Sequence, residues 1–276
     1  MDLYQRKQTM NDDKVLKNIS ESYKELSEID SFDPKAFIAD KNTSQELCDF
    51  MLSLALFCND LKDLMMFNIL VLNAKPDNLS EIKPDLGQFN GLKVYLQRSY
   101  ILLIHELGVL LKKNSQIIKG NEFQNILNFL PKDKRKCWRS IIDILVKDRK
   151  INKKDNFTKI LAIIRNKTGG HYDTKEISTG YKTMFIKNNN EPYISGGSNI
   201  SSSRFYFADA AAQIYYYKRQ KDFDLSIPNF DQTIKELVEN ISETFWLLIY
   251  RFINKRSPWS KPSQYKIPDF KKLKFD

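Results

Sequence analysis

The chain has 276 residues, of which 42% are apolar and 28% charged, a balance typical of a soluble globular protein. This length is sufficient for one large domain or two small ones. The chain has only 9 Gly and 9 Pro residues, and this low number favours long helices over many short strands. The formal net charge of +10 favours an acidic partner, nucleic acid foremost, although the lysine-rich coding bias of an AT-rich genome explains it equally well.

Apolar residues at helical spacing predict three helices in the first part of the chain. The first covers residues 12–29. A long helix then begins at Thr43 or Ser44 and ends near residue 74, and a second runs from about Gln88 to Lys113. Because a short proline-containing loop joins the two long helices, we expect them to pack antiparallel.

Further helices are predicted to the end of the chain, and no alternating strand pattern interrupts them. The predicted ranges are 121–130, 133–148, 155–166, 174–187, 208–219 and 231–255, with an exposed loop at 188–203 whose role stays open. The sequence therefore predicts an all-α helical bundle. We divide it into an N-terminal helical extension (1–43), a main helical domain (44–255) and a basic, irregular C-terminal tail (256–276).

Several features argue for a reduced, cytoplasmic protein without a membrane anchor. The three cysteines, Cys48, Cys58 and Cys137, have no CxxC spacing, and a helix would hold the first two about 15 Å apart, too far for a disulfide. The first fourteen residues are polar, and the uninterrupted apolar runs are far shorter than the ~20 residues that span a bilayer. We expect a cytoplasmic location.

The stretch AIIRNKTGGHYD, residues 162–173, places an arginine and a histidine around a break in a helix. Arg165 lies in the last turn of a helix whose apolar face follows the i, i+3, i+4, i+7 rule, and Gly169 or Gly170 ends that helix. A turn at these glycines lets His171 approach Arg165. The alternative is an ordinary helix end, with a cation favoured by the helix dipole and a surface histidine beyond it.

The motif RNKTGGHYD resembles the signature of the HEPN superfamily, an arginine and a polar residue separated by a short spacer from a histidine. Arg165, Asn166 and His171 match it, with five residues between the arginine and the histidine. Two long antiparallel helices before the motif also fit, so the resemblance implies a bundle of HEPN type. The most similar members belong to bacterial abortive-infection and toxin–antitoxin systems.

The resemblance implies a metal-independent endoribonuclease without a cofactor, acting in antiviral defence or as a toxin, often as a homodimer and with an antitoxin or another defence protein as partner. The implied catalytic residues are Arg165, His171 and Asn166. Histidine can transfer protons near neutral pH, while the planar arginine fork can hold phosphoryl oxygens as charge develops. The alternative is a non-catalytic HEPN-like module that binds a partner protein or RNA.

Basic residues around the motif and one tyrosine are candidates for RNA binding, with a solvated charged face as the equal alternative for the basic residues. The candidates are Lys134, Arg135, Lys150, Lys153, Lys154, Lys167 and Tyr172. His105, in the apolar stretch YILLIHELG, is interpreted as a core or interface histidine, and its neighbour Glu106 could reach a site between helices. Two histidines far apart in sequence, without HExxH or CxxC, predict no metal centre.

Overall fold

The computed structural model describes residues 31–73, 75–76, 84–149, 157–166, 173–194, 204–222 and 227–260. Within these ranges the chain is mostly helical and contains no strand, only isolated bridges such as Ser31 with Ser260. The all-α fold class is therefore confirmed. The helix predicted at 12–29 and the tail beyond residue 260 lie outside the described residues.

Nine α-helices occur in the described residues. Eight of them agree with predicted helices to within a few residues at most ends, whereas the short α3 was not predicted. They are α1 (Gln45–Asn73), α2 (Pro84–Lys113), α3 (Ser115–Lys119), α4 (Asn121–Asn128), α5 (Lys132–Leu145), α6 (Phe157–Ile164), α7 (Thr174–Tyr181), α8 (Tyr206–Asp222) and α9 (Ile227–Arg256). A π-helical turn, Lys182–Lys187, extends α7. Helix α2 begins at Pro84, four residues before the predicted start, because proline is well tolerated at the first position of a helix.

The two long helices α1 and α2 pack antiparallel, as predicted. Val71, near the end of α1, packs in a small cluster with Phe89 and Leu96 from the first half of α2. The ring centroids of Phe67 and Tyr95 are 6.1 Å apart in the same region.

Aromatic side chains from four helices connect the centre of the bundle. Phe123 lies between Phe50 and Trp138, at centroid distances of 5.8 and 5.1 Å. Phe245 of α9 then contacts Trp138 at 5.8 Å and Phe57 at 5.9 Å. All five rings are buried, so this chain of contacts joins α1, α4, α5 and α9 through apolar surface removed from water.

Helix α6 is held against α2 and α9 by its apolar face. Phe157, Ile160, Leu161 and Ile164 are all buried, which confirms the predicted helical spacing. Phe157 contacts the ring of Phe230 at the start of α9, with 5.5 Å between centroids. This packing fixes the end of α6, and with it the position of the following residue, Arg165.

Residues on either side of the predicted domain boundaries belong to one contact network. Arg256, at the end of α9, donates to the carbonyls of Ala36 and Ile38, both at 2.6 Å, and pairs with Asp40 at 3.1 Å. The rings of Phe32 and Trp259 lie 5.7 Å apart and pack against the main core. The described parts of the two terminal segments are thus continuous with the bundle.

Helix α2 has apolar residues beyond those that face the bundle core. Among the described residues it is the one helix long and apolar enough to cross a membrane by length and composition, with 39% of its most apolar window buried. A core helix of a soluble protein passes the same test. Ile101, Ile104, Leu107 and Leu111 face the bundle core, which accounts for part of that apolar character.

The cysteine thiols of the folded protein are expected to react slowly with alkylating reagents. All three are free, and burial raises the pKa of Cys58 to about 11. At pH 8 such a thiol holds about one hundredth of the thiolate of an ordinary cysteine, and the thiolate is the reactive form. We expect native Cys58 to react with iodoacetamide about 100-fold more slowly than in the denatured chain, as measured by peptide mass spectrometry. Equal rates in the two states would contradict the burial of this thiol.

Helices α7 and α8 approach so closely at Gly180 that no side chain fits between them. A Cβ atom built on Gly180 would overlap the backbone carbonyl oxygen of Ala211, and neither backbone can yield without moving a helix. We expect Gly180→Ala to destabilise this helix pair by about 1–3 kcal/mol, measured by hydrogen exchange of its amides. Gly108→Ala is the matched control, since its Cβ would lie 3.9 Å from Leu145. That substitution should stabilise α2 by about 0.5–1 kcal/mol. Equal protection in Gly180→Ala and wild type would contradict the close approach.

Candidate active site

Arg165 lies at the carboxyl end of α6, where the helix widens into a π turn that also contains Asn166. Its Nη1 donates a hydrogen bond to Asn166 Oδ1 at 3.0 Å. Its Nη2 lies 3.4 Å from Glu106 Oε1. This distance is long for a hydrogen-bonded ion pair. The side chain is 31% exposed, so solvent reaches the guanidinium although part of it is enclosed.

One donor of Arg165 has no acceptor among the described residues. The Nε atom is buried and makes no hydrogen bond, whereas an arginine carries five N–H donors in a fixed fork. The other four N–H groups are on Nη1 and Nη2, which use one each in the contacts with Asn166 and Glu106, so each of these atoms keeps a further N–H for an anion with several oxygens. The guanidinium therefore has the donor capacity to bind a phosphate group in addition to its present contacts.

Helix α2 brings His105 and Glu106 to the same place. His105 Nδ1 lies 3.3 Å from Glu106 Oε1, the oxygen atom that also contacts Arg165 Nη2. His105 is 19% exposed and Glu106 is 51% exposed. His105 thus lies at the polar edge of the bundle, beside the residues of the motif. The signal for this in the sequence is the polar pair HE inside the apolar run YILLIHELG.

The structure describes only part of the predicted site. Arg165 and Asn166 are adjacent and hydrogen-bonded. His171, Tyr172, Lys167, Lys150, Lys153 and Lys154 lie outside the described residues. Asp173, the last residue of the motif, caps α7 and accepts a hydrogen bond from the backbone of Glu176 at 3.1 Å. The chain therefore starts a new helix at Thr174, nine residues after Arg165.

Of the predicted RNA-binding residues, Lys134 and Arg135 are described, and both lie on α5. Lys134 Nζ is 2.9 Å from Glu243 and 3.3 Å from Asp133. The hydrogen bond to Glu243 is the main cause of the raised pKa of this amine. Because two carboxylates offset its charge, Lys134 has less attraction left for phosphate. Arg135 is partly buried, and its Nε has no hydrogen-bond partner among the described residues.

An open groove of about 1010 Å³ runs between α1 and α2 and reaches Glu106. Its lining is mainly apolar, with Phe57, Leu64 and Leu103 among the residues. It also carries the carboxylates of Asp60, Asp63 and Glu106 and the guanidinium of Arg204, whose charge is offset by Asp209 at 2.9 Å. Carboxylates along a groove repel the phosphates of a nucleic acid. We therefore expect RNA to approach Arg165 from outside this groove.

No protein-family model matches the chain, and searches of curated proteins and of solved structures found no match either. The geometry around Arg165 and the motif itself are therefore the basis for a functional assignment. Within the described ranges, no group of three or more histidine, cysteine, aspartate or glutamate residues could hold a metal ion.

Proposed function

We propose that this protein is a metal-independent endoribonuclease of HEPN type, acting in a bacterial defence or toxin–antitoxin system. The observation that carries the proposal is the Arg165 guanidinium, which is held at the end of α6 by Asn166 and Glu106, is 31% exposed and keeps a further N–H donor on each Nη atom for a phosphate. It begins the motif that resembles the HEPN signature, and it follows two long antiparallel helices.

RNA supplies its own nucleophile, so the protein needs to move protons and stabilise charge. The 2′-hydroxyl attacks the adjacent phosphorus, and the bond to the 5′-oxygen breaks. Arg165 binds the non-bridging oxygens as their charge increases, the kind of interaction that contributes most in such sites. Asn166 orients the guanidinium through the Oδ1 contact, and His171 transfers a proton.

The proposal extends to the partners of the protein. RNA is the substrate, drawn in by the basic residues, and an antitoxin or another defence protein regulates the activity in the cytoplasm. A homodimer would bring two motifs together, as the resemblance implies. Sedimentation or light scattering measures the mass of the protein in solution and so shows whether it is a homodimer.

Induced expression in bacteria tests the proposal, comparing wild type with Arg165→Ala and His171→Ala. We expect wild type alone to arrest growth and to leave cut RNA, because either substitution removes a group that acts on the phosphate. Intact RNA in cells that express wild type, together with no cleavage by the purified protein, would contradict the proposed ribonuclease activity. That result would favour the alternative, a HEPN-like module that binds RNA or a protein without cutting it.

A further inference from the structure

The chain has two histidines, and the proposed function uses one of them. His105 is separated by 60 residues from Arg165 in sequence, yet the bundle places both beside one carboxylate oxygen. Glu106 Oε1 lies 3.3 Å from His105 Nδ1 and 3.4 Å from Arg165 Nη2. A histidine on the buried face of α2 would instead be surrounded by apolar side chains, as Ile104 and Leu107 are.

The contact with Glu106 determines which nitrogen of His105 is available to accept a proton. When Nδ1 carries the proton and donates it to Glu106 Oε1, the lone pair of the neutral imidazole is on Nε2. Nε2 makes no hydrogen bond to any residue in the described part of the chain. The side chain is 19% exposed, so the imidazole is largely enclosed by protein but is not closed off from solvent.

We propose that His105 is the proton acceptor of the Arg165 site and that Glu106 is its positioning residue. This inference rests on the proposed ribonuclease function and assigns a further residue to it. Glu106 also holds the guanidinium of Arg165, so a single carboxylate orients the base and the anion-binding group.

The resulting step is balanced in atoms and charge. His105 Nε2 takes the proton of the 2′-hydroxyl as its oxygen forms a bond to phosphorus. The bond from phosphorus to the 5′-oxygen breaks, and the protonated imidazole of His171 gives that oxygen a proton. The products are a 2′,3′-cyclic phosphate and a 5′-hydroxyl. His105 ends protonated and His171 neutral, and proton exchange with water restores both.

Nuclear magnetic resonance can observe this site without any turnover, because the folded protein gives only two imidazole Cε1–H signals. His171→Ala identifies them by removing one. The probe is a random-sequence 2′-O-methyl RNA 12-mer, which lacks the attacking hydroxyl and stays intact. We expect the His105 signal to move as the oligonucleotide is added to wild type, and to move much less in Arg165→Ala. A His105 signal that stays fixed while RNA binds overturns the assignment.

Kinetics then separate this inference from the function on which it rests. In cleavage of unmodified RNA, we expect His105→Gln to lower kcat by about 10²- to 10⁴-fold with little change in KM. Glu106→Gln should lower kcat by a smaller factor. Glu46 is exposed at the start of α1, so Glu46→Gln serves as the matched control. Wild type that cleaves no RNA overturns both proposals. Wild type that cleaves while His105→Gln is equally fast overturns the assignment of His105 alone.

Discussion

Arg165→Lys is expected to lower kcat for RNA cleavage by about 10²- to 10³-fold, the effect of removing one donor from an oxyanion site. Lysine keeps the positive charge but has three donors on one nitrogen in place of the planar fork, so it cannot bind two phosphoryl oxygens while it also contacts Asn166 and Glu106. Steady-state cleavage of a labelled RNA measures the change. Because charge at the site is preserved, we expect the larger effect on kcat and the smaller one on KM.

Arg251→Lys provides the control for that experiment, because this arginine is exposed on α9. We expect it to cleave RNA at the wild-type rate. If Arg165→Lys also kept the wild-type rate, positive charge alone would be sufficient at this position, and the role assigned to the guanidinium fork would be wrong. Circular dichroism of each variant separates lost chemistry from lost folding.

Leu54→Ala is expected to lower the free energy of unfolding by about 2–5 kcal/mol, the range for deletion of a buried leucine side chain. Leu54 is 0% exposed in the first half of α1, within the main core. The substitution removes apolar contacts and leaves a cavity in a close-packed core, which relaxes only partially around it. Denaturant titration followed by circular dichroism measures the loss.

Leu52→Ala is the matched control, two residues away on the same helix but 56% exposed. We expect its effect to stay within about 0.5 kcal/mol, because alanine has the higher helix propensity and little buried surface is lost. Equal effects of the two substitutions would show that α1 does not face the core as described.

Local sequence patterns were sufficient to predict most of the helices. The spacing of Phe157, Ile160, Leu161 and Ile164 predicted both α6 and its buried face, since this periodicity depends only on helix geometry. The position of Arg165 at the end of α6 followed from the same pattern. The start of α2 was predicted four residues late because proline was read as a helix breaker, although it is favoured at the first position of a helix.

Contacts between distant parts of the chain could not be predicted in this way. Periodicity assigned His105 to an apolar helix, but its position beside Arg165 depends on how α6 packs across α2. The boundaries drawn near residues 43 and 256 followed composition. The contacts of Arg256 with Ala36 and Asp40, which join the two segments, depend on tertiary structure. His171 lies outside the described residues, so its convergence with Arg165 stays a prediction.

The chemistry of the cleaved RNA ends tests the central claim most directly. Purified protein is incubated with RNA in excess EDTA, and the fragments are identified by mass spectrometry. The proposed mechanism predicts undiminished cleavage that leaves a 2′,3′-cyclic phosphate and a 5′-hydroxyl, because the 2′-hydroxyl of the substrate is the nucleophile. Fragments with a 3′-hydroxyl and a 5′-phosphate, or cleavage abolished by EDTA, would contradict it.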